Sequence, residues 1–246
     1  MSLEIAIPTY NRSSTINDKT LKLLEKFNKK QVKLYVEDLD QYEQYKLTCP
    51  DYDIVVTQTE GIVEKRNYIM SKTESKYLLM LDDDIINIKN IDGNNITSDE
   101  LKELILLGFK TTAENNARLF GINGYSNNYF FKDQYSTNLK FIIGCFMGII
   151  INDNRPILIP EDLTVLEDYY LSIKYFQEDG KIIRFNQFGI QQKYFTGEGG
   201  LQSHYSKDER VAEQNRCITY IHQRFPSYCS IIKKKDCLDF RLNHRA

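Results

Sequence analysis

Three adjacent carboxylates, Asp82-Asp83-Asp84, follow the apolar run Tyr77-Leu-Leu-Met-Leu81. Neighbouring carboxylates repel one another, so where they are fixed together they call for a cation. Their hard oxygen atoms suit Mg2+ or Mn2+, ions that commonly share their coordination with substrate phosphates. A solvated acidic turn is the alternative, weakened by the five apolar residues that fix where the turn begins. A second cluster is Pro8-Thr9-Tyr10-Asn11-Arg12, directly after the short run Glu4-Ile-Ala-Ile. Its hydroxyls, amide and guanidinium could reach a nucleotide, although such a sequence is also an ordinary turn. A third is Gly61-Ile-Val-Glu-Lys65-Arg66-Asn67. A helix beginning at Gly61 would favour a phosphate at its N-terminus, with Lys65 and Arg66 adding positive charge.

All three clusters need a scaffold that brings the ends of separate segments together. The first 85 residues supply one by alternating short β-rich runs with helical stretches. Strands are expected at 4–8, 32–36, 54–57 and 77–81, with helices over 15–27, 40–47 and 61–71. Tyr77–Leu81 is apolar on both faces, as the middle strand of a parallel sheet must be. Repeated βα units with short connections imply a doubly wound α/β sheet, in which ligands bind at the carboxyl ends of the strands. In the second half a helix capped by Ser98 is expected to run to about Arg118, with Asp99 and Glu100 in its first turn. A long buried strand is expected over 141–151, a helix over 165–178 ended by Gly180, a strand over 182–185 and a helix over 208–224. Thr196-Gly-Glu-Gly-Gly200 reads as a flexible loop. No composition break divides the chain. One domain is expected over residues 1–246.

Composition narrows the function classes. The 246 residues include 17 Tyr and 13 Phe, enough apolar surface to fold. The longest apolar run, 141–151, is too short to span a membrane. The N-terminus lacks a secretory signal, and five cysteines without metal-like spacing suggest free thiols in a reducing compartment. A cytoplasmic location is expected. Net charge is −2, but residues 181–246 hold 12 Lys and Arg against 6 Asp and Glu. This basic quarter is either a solvated surface or a face for a polyanion. In the second case Arg210, Arg216 and Arg224, or Lys233, Lys234 and Lys235, would contact phosphates.

Taken in order, Pro-Thr-Tyr-Asn-Arg, the Gly61 helix with Arg66-Asn67, Asp82-Asp83-Asp84 and Leu166-Glu167-Asp168 followed by Gly180-Lys-Ile-Ile resemble the GT-A glycosyltransferases, those of family 2 especially. With Thr196-Gly-Glu-Gly-Gly-Leu added, the pattern looks most like the TET/JBP-associated glycosyltransferases. The resemblance implies a GT-A-like, mostly parallel Rossmann-type sheet flanked by helices, with residues 1–97 as the nucleotide-sugar-binding half and 98–246 as the acceptor-binding half with the basic C-terminal segment. It implies a metal-dependent enzyme that moves a sugar from a nucleotide-sugar, a UDP-sugar by preference, onto a hydroxyl. The first-choice acceptor is a 5-hydroxymethylpyrimidine in phage-type DNA, which implies the host cytoplasm if the chain is phage-encoded, and a glycan precursor is the alternative. An inert nucleotide- or DNA-binding module is a further alternative, whose mark would be a missing carboxylate. By the same resemblance Asp84 and Asp82 hold Mn2+ or Mg2+, with a further contact from His204. Pro8, Thr9, Tyr10, Arg12, Lys65, Arg66, Asn67, Asp82 and Asp83 line the donor pocket. An acceptor hydroxyl must lose its proton as it attacks, which makes a nearby carboxylate useful. Glu167 and Asp168 point about 100° apart on a helix, so one can face the acceptor while the other holds a cation. Asp168 is the first choice as base, with Glu167 second; a positioned base points to inversion at the sugar.

Overall fold

The computed structural model describes residues 2–152, 156–192, 207–234 and 238–243. Strands β1 (Leu3–Pro8), β2 (Val32–Val36), β3 (Asp53–Val56) and β4 (Tyr77–Leu81) pair in parallel in the order β3-β2-β1-β4. The connections are a one-turn helix α1 (Thr20–Leu23), α2 (Leu39–Thr48) and α3 (Gly61–Lys72). Beyond β4 come β5 (Ile85–Lys89), α4 (Ser98–Glu114), β6 (Leu119–Asn123), the two-residue β7 (Tyr135–Ser136) and β8 (Phe146–Ile150). The chain continues through α5 (Glu167–Asp179), β9 (Ile183–Gln192) and α6 (Lys207–Arg224) to the hairpin β10 (Cys229–Lys233) and β11 (Leu238–Leu242). The main sheet extends from β4 through β8, β6, β9 and β5, with β7 pairing β9. In it β5, β7 and β8 run against the other six strands, so the sheet is mostly parallel. One buried cluster packs α1, α2 and α4 onto one face of the sheet, and a second packs α3, α5 and α6 onto the other.

Several expected elements are shorter or start elsewhere. The helix expected over 15–27 is only a 3-10 turn at Ile16–Asp18 and one α turn at Thr20–Leu23. Lys19 (φ −117°, ψ −110°) breaks it. The hydroxyl of Thr20 donates to Asp82 O at 2.7 Å and accepts from Ile85 N at 3.0 Å. Ile16, Leu21, Leu24 and Phe27 are buried all the same, so the apolar period marks burial here rather than helix. The strand expected over 141–151 is confined to Phe146–Ile150, and 141–145 leaves the sheet to wall a cavity. The cap of α4 is Thr97 rather than Ser98. The Thr97 hydroxyl accepts from Glu100 N while the Glu100 carboxylate accepts from Thr97 N, a capping box. That helix ends at Glu114, and 119–123 is β6, a fully buried strand.

Candidate active site

The carboxyl ends of β1 and β4 open, with the start of α5 and the segment 141–145, into one cavity of about 630 Å³. The chain turns sharply after each strand. After β4, Thr20 holds the carbonyl of Asp82 and Asp82 N donates to Cys145 O at 3.2 Å. The three carboxylates therefore fan apart. Asp82 faces Arg66, whose Nη2 lies 3.0 Å from its Oδ1. Asp83 accepts from Thr9 Oγ1 at 2.5 Å and from Arg12 Nη1 at 2.5 Å. Asp84 meets Arg12 Nη1 at 2.8 Å and accepts from the side chain of Gln192. The turn after β1 is thereby tied to the turn after β4. Tyr45, buried under both, shares a 2.5 Å hydrogen bond with Thr9 Oγ1 and accepts from Arg12 N. Lys65 donates to Thr9 O at 3.1 Å and lies over the Tyr10 ring.

Arg66 spans the cavity floor. Its side chain is buried, with Nη2 toward Asp82 and Nη1 3.2 Å from Glu167 Oε1. A buried guanidinium costs several kcal/mol in lost hydration unless it is paired. Here two carboxylates pair it, yet its Nε and Nη1 have no hydrogen-bond partner. Gly144 makes the space: a Cβ there would fall 2.3 Å from Arg66 Nη1. Glu167 and Asp168 diverge at the start of α5, which follows Leu166 in a left-handed conformation (φ 63°). While Glu167 meets Arg66, Asp168 accepts from Gly144 N at 3.2 Å and from Tyr169 N at 2.9 Å. Burial, then the charge of Glu167, pushes the Asp168 carboxyl up to about 7. Burial likewise lifts Asp82 to about 6, Arg66 opposing it and Asp84 and Asp83 adding to it.

Pro8, Thr9, Tyr10, Arg12, Lys65, Arg66, Asp82, Asp83, Asp84, Glu167 and Asp168 all line this cavity. Asn67 does not. Its Nδ2 donates to Ile159 O at 2.7 Å and its Oδ1 accepts from Ile159 N at 2.8 Å, so it pins the segment before α5 instead. His204 and the loop 196–200 lie outside the described residues. Of the cations expected to meet phosphates, Arg216 is held by Glu213 at 2.6 Å and by Asp162 O, and Lys234 pairs with Asp239. Lys235 is outside the described residues, and Arg210 lines the cavity. Sequence reading missed Tyr45, Gln192, Gly144 and Tyr169. Tyr169 stacks on Phe141 at 4.2 Å and on Phe240 of β11 at 5.3 Å, so the C-terminal hairpin backs the cavity wall.

The donor set bears on a metal ion. Among the described lining residues Glu37, Asp82, Asp83, Asp84, Glu167 and Asp168 are acidic, and Arg12, Lys65, Arg66 and Arg210 basic. A cavity with two more carboxylates than cations repels a diphosphate unless a cation comes with it. No three His, Cys, Asp or Glu side chains converge on one point among the described residues. The hard oxygen atoms of these carboxylates fit a divalent ion such as Mg2+ or Mn2+, held by one or two of them with phosphate oxygens completing its coordination.

A family model described as TET-Associated Glycosyltransferase matches residues 3–200. No curated protein matches the chain. Solved structures do. TarS 1-349 from S. aureus, in complex with UDP-GlcNAc, is 18% identical with a TM-score of 0.57 over 90% of this chain and 67% of that one. Glucosyl-3-phosphoglycerate synthase from Mycobacterium tuberculosis, in complex with Mn2+, UDP-Glc and phosphoglyceric acid, is 13% identical with a TM-score of 0.56 over 98% and 86%. At such identities the likeness is one of fold, the GT-A fold.

Proposed function

The chain belongs to the TET-associated glycosyltransferases, and from that premise we propose that it moves a sugar from a UDP-sugar to the hydroxymethyl group of a 5-hydroxymethylpyrimidine in DNA. The observation that carries this reading is Arg66, which joins the strand-end carboxylate Asp82 to the helix-start carboxylate Glu167 beside Asp168. One cavity thus holds a donor side and an acceptor side. Thr9, Tyr10, Arg12 and Lys65 surround the nucleotide. Asp82 faces the sugar or ribose, and Asp83 keeps the two strand-end turns together. Asp84, with Asp82, would hold Mn2+ or Mg2+, which when bound neutralises charge growing on the departing diphosphate.

On the acceptor side the hydroxyl oxygen forms the new bond to the sugar's anomeric carbon. Its proton goes to the Asp168 carboxylate, and the bond from that carbon to the diphosphate breaks, its electron pair leaving with UDP. A carboxyl lifted to about 7 is a stronger base than an ordinary aspartate and is still largely ionised above neutrality. Attack from the side of Asp168, opposite the leaving group, inverts the sugar. The two backbone N–H groups on Asp168 fix its direction, and Glu167 is kept from that role by Arg66. A base inside the duplex cannot reach such a cavity, so the target has to be flipped or single-stranded.

The test is mass spectrometry of nucleosides released after incubation of the protein with hydroxymethylated DNA, Mn2+ and a panel of nucleotide sugars. A hexose or pentose added to hydroxymethylcytosine or hydroxymethyluracil is the expected product. Transfer to an oligosaccharide and never to DNA would move the acceptor to a glycan.

A further inference from the structure

Beside the cavity, residues 124–136 hold aromatic rings out in solvent. Tyr129 is 85% exposed, Phe130 56% and Tyr125 41%. Phe130 meets Tyr125 edge to face at 5.9 Å and Tyr129 at 5.2 Å, so the three form one patch. A contiguous exposed apolar patch marks an interaction surface more often than a scattered exposed residue does. The segment is also fixed in place. The Asn127 side chain accepts from Tyr129 N and caps the 3-10 turn Asn128–Phe130. Asn128 Nδ2 donates to Ile91 O at 3.3 Å, and Phe131 is buried beneath.

Cations flank the rings. Arg184 lies within electrostatic reach of Tyr125, and Lys140 within reach of both Arg184 and Lys132. Among the described residues no carboxylate makes an ion pair with Lys132, Lys140 or Arg184. The exposed Asp133 in the same segment offsets one of these three charges and leaves an excess of two. The patch adjoins the cavity at two points. Tyr125 follows Gly124 and Lys140 precedes Phe141, and both of those neighbours line it.

We propose that this patch is a platform for the unstacked nucleotides next to the target base, with bases lying on Tyr129 and Phe130 and phosphates at Lys132, Lys140 and Arg184. The proposal rests on the nucleic-acid acceptor argued above. Extruding a base leaves its neighbours partly unstacked. Every base has a π-face, so aromatic rings hold such nucleotides whatever the sequence, and cations with no carboxylate partner hold the phosphates, Arg184 with its Nε already donating to Asn186 Oδ1. A neutral glycan would also stack on the rings but has no use for the cations.

The experiment reads binding rather than transfer, so that the platform and the reaction fail separately. A fluorescent single-stranded deoxyoligonucleotide of about a dozen nucleotides is titrated by anisotropy, with UDP binding followed by calorimetry on the same samples. The double variant Tyr129→Ala/Phe130→Ala changes only exposed side chains. It should bind the oligonucleotide at least about tenfold more weakly and leave UDP affinity unchanged. Lys132→Gln/Lys140→Gln should lower the slope of log affinity against log salt by about 0.7 for each cation lost. Unchanged oligonucleotide affinity in the aromatic variant, salt-independent binding, or binding of neutral oligosaccharides in preference to the oligonucleotide would each overturn the platform. If both variants behave as expected while hydroxymethylated DNA receives no sugar, the platform stands and the assigned acceptor falls.

Discussion

Asp168 and Glu167 are neighbours with opposite surroundings, and their difference sets the clearest residue-scale outcomes. Asp168 is a base only when ionised, so activity should be lost as the pH falls through about 7, by about tenfold per unit below it. Asp168→Asn should cost on the order of 10² to 10⁴ in kcat while UDP-sugar affinity survives, as single-turnover kinetics with calorimetry would show. The stability sign is the reverse. The folded carboxyl holds its proton more tightly than the unfolded one. Its contribution is therefore fully present below the unfolded value and lost as pH rises towards 7. The variant should thus show a flatter fall in Tm than the parent across that window. Gly144 gives the second outcome. In Gly144→Ala the new methyl displaces the Arg66 guanidinium, which then cannot serve Asp82 and Glu167 together. A displacement of that order costs about 10² in kcat. Arg66→Lys, which keeps the charge but loses the fork, should be impaired as well.

At the scale of elements, the site depends on segments that are not themselves regular. The turn after β4 is held by Thr20 from a helix one turn long, and the wall 141–145 is chain that has left the sheet. The approach to α5 is secured by Asn67 from α3, through both ends of its amide. Asn67→Ala strands a buried N–H and a buried carbonyl at Ile159, which costs about 1–3 kcal/mol for an unsatisfied group. Thermal or urea unfolding should register that loss. Donor affinity should change little, because Asn67 does not line the cavity. A large loss of UDP-sugar binding with normal stability would instead return Asn67 to the nucleotide pocket.

Across the whole molecule the charge balance organises the reaction. The lining of the cavity is more acidic than basic and the proposed donor carries a diphosphate, so donor affinity should depend on a divalent ion. Excess EDTA should abolish transfer, and Mn2+ or Mg2+ should restore it. Asp84→Asn should fail to be restored at the same metal concentration while its unfolding midpoint stays close to the parent's. Full activity in EDTA would remove the metal from the reaction. Within the basic C-terminal quarter, Arg216 and Lys234 are already paired, with Glu213 and Asp239. The hairpin that carries Lys233 and Lys234 instead supports Tyr169 through Phe240.

The parallel half of the sheet is legible in the residue pattern alone. Strands such as Tyr77–Leu81 must be apolar on both faces, and the acidic or polar residues that follow them fall at the carboxyl ends where ligands bind. It also placed Glu167 and Asp168 at a helix start, because Gly180 and the apolar period bound that helix. Which neighbour each carboxylate has depends on packing between distant segments. Asp82 and Glu167 are 85 positions apart in sequence, and nothing local reveals that one buried guanidinium reaches both. The apolar stretches 15–27 and 141–151 misled for a related reason. Hydrophobic period reports that a segment is buried, whereas its backbone path is set by what it must pass: Thr20 under the Asp82 turn, and Gly144 against Arg66. The exposed aromatics at 125–130 show the limit from the other side, since sequence alone gives no reason for them to remain in solvent. Only the packed fold shows that Phe131 fills the space below and leaves Tyr129 and Phe130 outside.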